Sequence, residues 1–166
     1  PVNMSLLAKV SEGDARNAGH YYPLKIMDKS LVDYLNEAII DGTISNATVA
    51  INGPLDTFPY GDGSGMFIVD ADLSNSTFKF SPDWPAITEF NANLNFTNKT
   101  MTITGESGYL RDLDVTGVIA SIENLTNKPN LDVIAKVKQH PRAISDLMQA
   151  SPLKSSVGVT LENLIV

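Results

Sequence analysis

The side chains with the clearest potential for chemistry are two histidines and a pair of aspartates. His20 precedes a Tyr-Tyr-Pro stretch and His140 stands directly before Pro141, and neither lies in a metal-ligand spacing such as HxxxH. Asp70 and Asp72 are two residues apart in an alternating stretch, so they share one face of a predicted strand. A solvated outer face explains this pair without acid–base catalysis.

A glycine-rich segment, GPLDTFPYGDGSGMF, raises three further possibilities for chemistry. A phosphate-binding loop would need a following helix and a lysine, whereas a strand pattern follows here. A calcium loop would need oxygen ligands at alternate positions, and Met66 interrupts that series. Ser64 stands directly between two glycines, so the GxSxG elbow is not matched. We interpret the segment as a tight glycine turn that leads into a strand. The sequence predicts no catalytic residue, no metal site and no cofactor, and we do not expect an enzyme.

Composition narrows the class of partner. The chain has 166 residues, no cysteine and a net charge of −7, with lysines and arginines scattered along it. No basic patch is present to neutralise phosphates, which argues against nucleic-acid binding. No run of 18 apolar residues is present to span a membrane. The chain begins Pro1-Val2-Asn3 without an initiator methionine and its last residues are apolar. We therefore expect residues 1–166 to form a single β-rich segment of a larger protein.

Alternation of apolar and polar residues predicts the elements that must position any site. Period-2 patterns recur along the chain and predict eight or nine strands. The links between them are short and carry turn residues, which is typical of sequential antiparallel strands. The alternating stretches, each of which begins and ends with an apolar residue, are residues 4–10, 47–51, 67–73, 90–96, 101–103, 113–119, 131–137 and 157–161.

Two short helices are predicted between the strands. The stretch DKSLVDYLNEAIIDG has apolar residues at helical spacing, with Asp28 or Ser30 as N-cap and Gly42 as its stop. The stretch HPRAISDLMQAS predicts the second helix, with Pro141 in its first turn and Pro152 after its end.

Neither helix is long enough to cover eight strands, so the apolar face of the sheet lacks an obvious partner. Such a sheet can fold into a sandwich, close into a barrel, or curl so that its apolar face lines a groove. We favour the last fold: a mainly β, curled, one-sided antiparallel sheet with an open, taco-like groove and two short helices.

A proline-rich corner carries the one tryptophan, in the stretch FKFSPDWPAITEFNANLNF. Pro82 and Pro85 disfavour regular ladder pairing, so we predict a corner between two strands at this point. Trp84 is interpreted as a structural residue that packs this corner.

Four stretches resemble a known family: SLVDYLNEAIIDG, NGPLDTFPYGDGSGMF, FKFSPDWPAI and LNFTNKTMTITGESGYL, in this order. They are similar to the central region of the YhdP family, which belongs with TamB to the AsmA-like group of envelope proteins of Gram-negative bacteria. The likeness covers roughly residues 20 to 125, with a weaker similarity in SPLKSSVGVTLENL. The family has no recognised catalytic motif, so the resemblance assigns no catalytic residue.

The resemblance implies a periplasmic segment of a protein that is anchored in the inner membrane. Its curled sheet would shield phospholipid acyl chains during transport between the inner and outer membranes. The implied partners are those acyl chains and neighbouring repeats of the same parent chain, and we expect the isolated chain to be a monomer or an edge-paired dimer. The alternative is a structural or adhesive β-sandwich module of an envelope or surface protein, without a ligand.

One set of apolar residues is the candidate lipid-binding face of the groove. The same side chains would equally suit the closed core of a sandwich, and the sequence leaves these two interpretations open. The set consists of Phe90, Leu94, Phe96, Met101, Ile103, Val115 and Ile119.

Overall fold

A computed structural model describes residues 2–21, 29–126, 130–136, 142, 143, 146 and 159–161. Most of these residues belong to one sheet. Its long strands are β1 (Asn3–Asp14), β2 (Ile39–Pro54), β3 (Met66–Phe78), β4 (Ile87–Thr97) and β5 (Thr100–Leu110). Its short strands are β6 (Leu113–Asp114), β7 (Ile119–Ile122), β8 (Leu131–Ala135) and β9 (Val159–Leu161).

The strands follow one another in chain order, as the short links predict. The spatial order is β1-β2-β3-β4-β5-β7-β8-β9, with β6 beside β5. All pairs are antiparallel except β8–β9, which is parallel. Strands β1 and β9 lie at opposite ends of this path, so the sheet is open rather than closed into a barrel. The predicted mainly β, open one-sided sheet is confirmed, and the parallel last pair is the one departure from the antiparallel prediction.

A row of β-bulges bends the sheet. Asn46, Asn75 and Glu89 have left-handed φ angles of 51°, 47° and 50°. Each lies where the strand register shifts, in β2, β3 and β4 respectively. A bulge bends its strand and increases the local twist, and three bulges in adjacent strands act in concert. The backbone N–H of Asn75 donates to Oδ1 of Asn91 at 2.9 Å, which ties one bulge to the next strand. These bulges give the sheet its curl.

The first helix is shorter than the sequence predicts. It spans Lys29–Ala38 and is named α1, and β2 begins at the next residue. Ile39 pairs with Phe78 in the sheet, where a β-branched side chain fits well. Gly42 is therefore not the helix stop. It has a φ of 120° within β2, and a Cβ there would lie 2.7 Å from the Cα of Ser76, so the close approach of two strands requires glycine.

Two 3-10 helices, which the sequence patterns did not predict, connect strands. One spans Ala15–Tyr21 after β1 and the other spans Leu55–Thr57 after β2. The second short helix was predicted for residues 140–151, which lie largely outside the described residues. Arg142, Ala143 and Asp146 are helical, and Ala143 packs against the buried core.

The glycine-rich segment forms a turn before β3, as predicted. Its centre is Tyr60, which is fully buried and lies between two glycines. A Cβ on Gly53 would lie 2.8 Å from the Tyr60 ring, and a Cβ on Gly65 would lie 2.7 Å from it. Asn98 of the β4–β5 turn donates from Nδ2 to the Tyr60 carbonyl at 3.2 Å. The two glycines thus allow the backbone to pack closely against the Tyr60 ring. The hydrogen bond from Asn98 joins this turn to the β4–β5 turn.

Candidate functional site

A continuous apolar row crosses the sheet from strand to strand. Residues that pair directly in adjacent antiparallel strands point to the same face. The register places one apolar residue from each of seven strands in a single line: Ala8, Val49, Val69, Phe96, Met101, Ile122 and Leu131. We call the face that carries this row the inner face. A long apolar molecule lying along the row would cross the strands rather than follow one of them.

The opposite face, called the outer face, is polar along the parallel line. The register aligns Lys9, Thr48, Asp70, Asn95, Thr102, Ser121 and Asp132. The sheet is therefore one-sided, because period-2 alternation in every strand is kept in phase by the pairing.

Protein covers the inner face over the middle of the sheet. Phe90 and Met101 are 0% exposed, and Leu94 is 4% exposed. Side chains from links between strands belong to the same buried cluster: Tyr60, Phe80, Trp84, Val118 and Leu125. Of the predicted lipid-binding set, Phe90, Leu94, Phe96, Met101, Ile103 and Val115 lie in this cluster. In this conformation these six side chains pack as core, and their contact with lipid stays a prediction that requires the cover to move.

The seventh predicted residue, Ile119, lies on the outer face. It pairs with Thr104 and Ile134 and is 40% exposed. A turn separates it from Val115, where Gly117 has a φ of 80°. The turn breaks the period-2 alternation that placed Ile119 on the apolar row. Ala120 points inward in its place, so Ile119 is removed from the candidate face.

Val115 reaches the core from a link rather than from the sheet. It lies between β6 and β7, and its backbone N–H donates to the carbonyl of Gly108 at 3.0 Å. Its burial therefore comes from a turn folded over the inner face.

The predicted corner between β3 and β4 lies over the same cluster. Trp84 is 8% exposed, and its backbone N–H donates to the carbonyl of Ser81 at 3.0 Å. Pro82 is exposed and Pro85 is half-buried, on either side of the buried indole. The corner places Trp84 and Phe80 among the side chains that cover the middle of the sheet.

Protein covers the inner face incompletely at the β1 end of the sheet. Leu6 is 39% exposed although it points inward opposite Ile51. Ile51 itself is 1% exposed, and the other inward residues of this region are half-buried: Met4, Ala8, Val10, Ala47 and Val49. The alternating sequence predicts these stretches as strands, but nothing in it marks them as a site. Their position beside the free edge of the sheet distinguishes them, and strand order is known only from the fold.

The two aspartates of the sequence analysis form a hydrogen-bonded network on the outer face. Asn93 Nδ2 donates to Asp70 Oδ1 at 3.2 Å and to Asp72 Oδ1 at 3.1 Å. Asn95 and Asn46 donate to the remaining oxygens of Asp70 and Asp72, both at 3.0 Å. Hydrogen bonds from Asn46 and Asn93 hold the pKa of Asp72 below its ordinary value. These contacts hold the strands in register and explain both carboxylates.

The lowered pKa of Asp72 predicts how stability depends on pH. The Asp72 carboxylate binds a proton less well in the folded state than in the unfolded state. Its contribution to the free energy of unfolding is therefore complete above its ordinary pKa of 3.8. It is lost as the pH falls from there through the lower folded-state pKa. We expect Asp72→Ala to be less stable than wild type at pH 7 and this difference to shrink below pH 4. Urea unfolding at several pH values measures this difference in stability, and Asp56→Ala, at an exposed position, is the control. A difference that does not change with pH would contradict the role of the network.

The histidines do not form a site in the described structure. His20 is exposed in the 3-10 helix after β1, and His140 lies outside the described residues. Within the described ranges, no group of three or more histidine, aspartate or glutamate side chains is arranged to hold a metal ion. In the same part of the chain, no helix has the length and apolar character needed to cross a membrane.

Comparison with known proteins relates this one-sided sheet to a family. The chain is 35% identical over 161 residues to the intermembrane phospholipid transporter YhdP of Escherichia coli (strain K12). The match covers 97% of this chain and 13% of that relative, so the chain corresponds to a small part of the relative's length. No solved structure shows a significant match. The model of the YhdP protein family matches residues 1–166, and the chain therefore belongs to the YhdP family.

Proposed function

We propose that this chain is a periplasmic segment of an inner-membrane-anchored bridge protein that shields phospholipid acyl chains between the inner and outer membranes. The observation that carries the proposal is the incompletely covered apolar inner face on β1 and β2, whose opposite face is polar along the line that includes Lys9 and Thr48. The relative's name, an intermembrane phospholipid transporter, supplies the class of ligand.

The mechanism is passive and follows from the direction of the apolar row. Strands lie about 4.8 Å apart. One acyl chain of roughly 15 Å, half of a bilayer core, therefore crosses about three strands. Each methylene removed from water contributes about 0.8 kcal/mol without any directional bond. Such contacts hold an acyl chain and let it slide from strand to strand, while its polar end stays outside the apolar row.

The free edge of β1 is the place where further strands would extend the apolar inner face. In the described structure β1 pairs on one side, with β2, and its other edge carries unpaired backbone groups. A neighbouring repeat of the parent chain would pair with this edge and extend the inner face. The partly covered inner face of β1 and β2 is narrower than the length of one acyl chain, so the isolated chain would contact part of an acyl chain and an extension would shield the rest.

The alternative function is a structural module of the same envelope protein, without a ligand. The burial of Phe90, Leu94 and Met101 favours it, since the middle of the sheet is packed as a protein core. Both functions are compatible with a core at β3–β7, and they differ in what covers Leu6 and its neighbours on β1 and β2.

Lipid extraction separates the two functions. The chain is exported to the periplasm of Gram-negative cells, purified without detergent, and examined by native mass spectrometry and by chromatography of an organic extract. Acyl shielding predicts phospholipid bound to the folded chain. A folded chain that carries no phospholipid in either measurement would contradict the proposal and support the structural module.

A further inference from the structure

A pocket of about 470 Å³ lies between α1 and the link that joins β3 to β4. It forms because the last turn of the helix docks on this link, where the backbone N–H of Lys79 donates to the carbonyl of Ala38 at 2.8 Å. The pocket is lined on one side by the helix and on the other by the link, with Tyr34, Glu37, Ala38, Lys79, Phe80 and Ser81 in its wall.

Two opposite charges line this pocket without neutralising each other. The ion pairs among the described residues are Asp14–Arg16 and Lys29–Asp33. Glu37 and Lys79 are in neither pair, and their charged atoms are not within ion-pair distance of each other although both line one cavity. Lys79 is half-buried and Glu37 is exposed. The pocket therefore presents a cation and an anion that are both available to a ligand.

Tyr34, which lines the same pocket, carries a hydroxyl group that has no hydrogen-bond partner. The hydroxyl oxygen of Tyr34 is enclosed and makes no hydrogen bond. Burial raises the pKa of Tyr34, so the hydroxyl keeps its proton and remains a donor. An enclosed polar group without a partner destabilises a folded protein, and it gains a hydrogen bond when an acceptor enters beside it.

The wall of the pocket is also continuous with the apolar inner face. Phe80 belongs to both the pocket wall and the buried cluster. Its ring packs edge-on against Phe78, with a centroid distance of 5.0 Å, and against Phe90 at 6.3 Å. Phe78, Phe80 and Phe90 are at most 5% exposed, so the apolar side of this wall is core and the pocket itself offers the contacts for a polar group.

We propose that this pocket binds the phosphate–ammonium head group of a phospholipid. Lys79 contacts the phosphate, Glu37 contacts the ammonium group, and the Tyr34 hydroxyl donates to an ester or phosphate oxygen. The assignment rests on the proposed acyl-shielding function and adds a site for the polar end of the lipid. The pairing of unlike charges with a zwitterion is the feature that favours this head group over a free phosphate ion.

The test uses three soluble probes: a short-chain phosphatidylethanolamine, the diacylglycerol with the same chains, and inorganic phosphate. Calorimetry gives the affinity of each probe for wild type, Lys79→Gln, Lys79→Arg and Tyr34→Phe. We expect Lys79→Gln to weaken phosphatidylethanolamine binding about fivefold, the effect of roughly 1 kcal/mol, and to leave diacylglycerol binding unchanged. Lys79→Arg is expected to retain most of the affinity. Lys9→Gln, on the outer face of β1, is the matched control and is expected to bind as wild type.

Tyr34→Phe gives a second readout that a merely structural role would not produce. Without lipid we expect it to be as stable as wild type or more stable, because the hydroxyl has no partner to lose. With lipid we expect weaker phosphatidylethanolamine binding.

The outcomes separate this proposal from the one on which it rests. If Lys79→Gln binds phosphatidylethanolamine as tightly as wild type, the pocket is not the head-group site and acyl shielding still stands. If inorganic phosphate binds as tightly as the lipid and depends equally on Lys79, the pocket is a free-anion site. If neither phosphatidylethanolamine nor diacylglycerol binds, the proposed function fails together with the pocket.

Discussion

Replacing Phe90 by alanine is expected to lower the free energy of unfolding by about 3–5 kcal/mol. Phe90 is fully buried, and its ring lies over β5 where two glycines make room for it. A Cβ on Gly105 would lie 2.9 Å from the ring, and one on Gly108 would lie 2.8 Å from it. Phe78 and Phe80 enclose the other side, with centroid distances of 5.8 and 6.3 Å. Because these residues pack closely against the Phe90 ring, we expect them to fill little of the cavity that the alanine substitution leaves.

Urea unfolding followed by circular dichroism measures this loss. Tyr109→Ala is the matched control, since Tyr109 is an aromatic residue of the adjacent strand that is 46% exposed, and we expect a change of at most about 1 kcal/mol. If Phe90→Ala fails to fold, Phe90→Leu reports the same packing with a smaller loss. A cost for Phe90→Ala no larger than that for Tyr109→Ala would show that this region is an open face rather than a core.

Replacing Leu6 by aspartate is expected to abolish most lipid binding and to leave the fold intact. Leu6 points to the inner face and is 39% exposed, so protein covers it only in part. Removing a leucine-sized contact costs about 1.5–3 kcal/mol of apolar binding energy, which corresponds to roughly a tenfold or greater loss of affinity. A carboxylate in contact with an acyl chain adds a desolvation cost to this loss.

Leu7→Asp is the matched control for this experiment. Leu7 is the next residue of the same strand, points to the outer face and is 68% exposed. Phospholipid that co-purifies with each variant is quantified by mass spectrometry, and unfolding by urea verifies that both variants are folded. Equal lipid content in the two variants would contradict acyl contact on β1. Leu94→Asp differs from both, because Leu94 is 4% exposed and we expect its replacement to unfold the chain.

Much of the architecture could be predicted because alternation is a local signal. A strand turns successive side chains to opposite faces, so the pattern Phe67, Val69, Ala71, Leu73 specifies one apolar face from neighbours in sequence alone. The short turn at Asn98 likewise predicts that β4 and β5 pair as neighbours. These features need no knowledge of distant residues.

Local patterns were less informative where the backbone interrupts a strand or helix. The turn at Gly117 moved Ile119 to the outer face, and β2 began at Ile39 within the predicted helix. In both places an apolar residue satisfied the local pattern, and its pairing with a distant strand decided the outcome. Intrinsic preference is weak compared with such pairing.

The sequence by itself determined that this protein is a one-sided, sequentially paired sheet with an apolar face. Only the tertiary structure decided which part of that face is covered. Phe80 and Trp84 reach the middle of the sheet from a link, whereas Leu6 lies near a free edge that no described strand covers. Coverage depends on contacts between residues far apart in the chain, and these arise from how the sheet curls. The same apolar alternation therefore produces a packed core at Phe90 and an exposed apolar surface at Leu6.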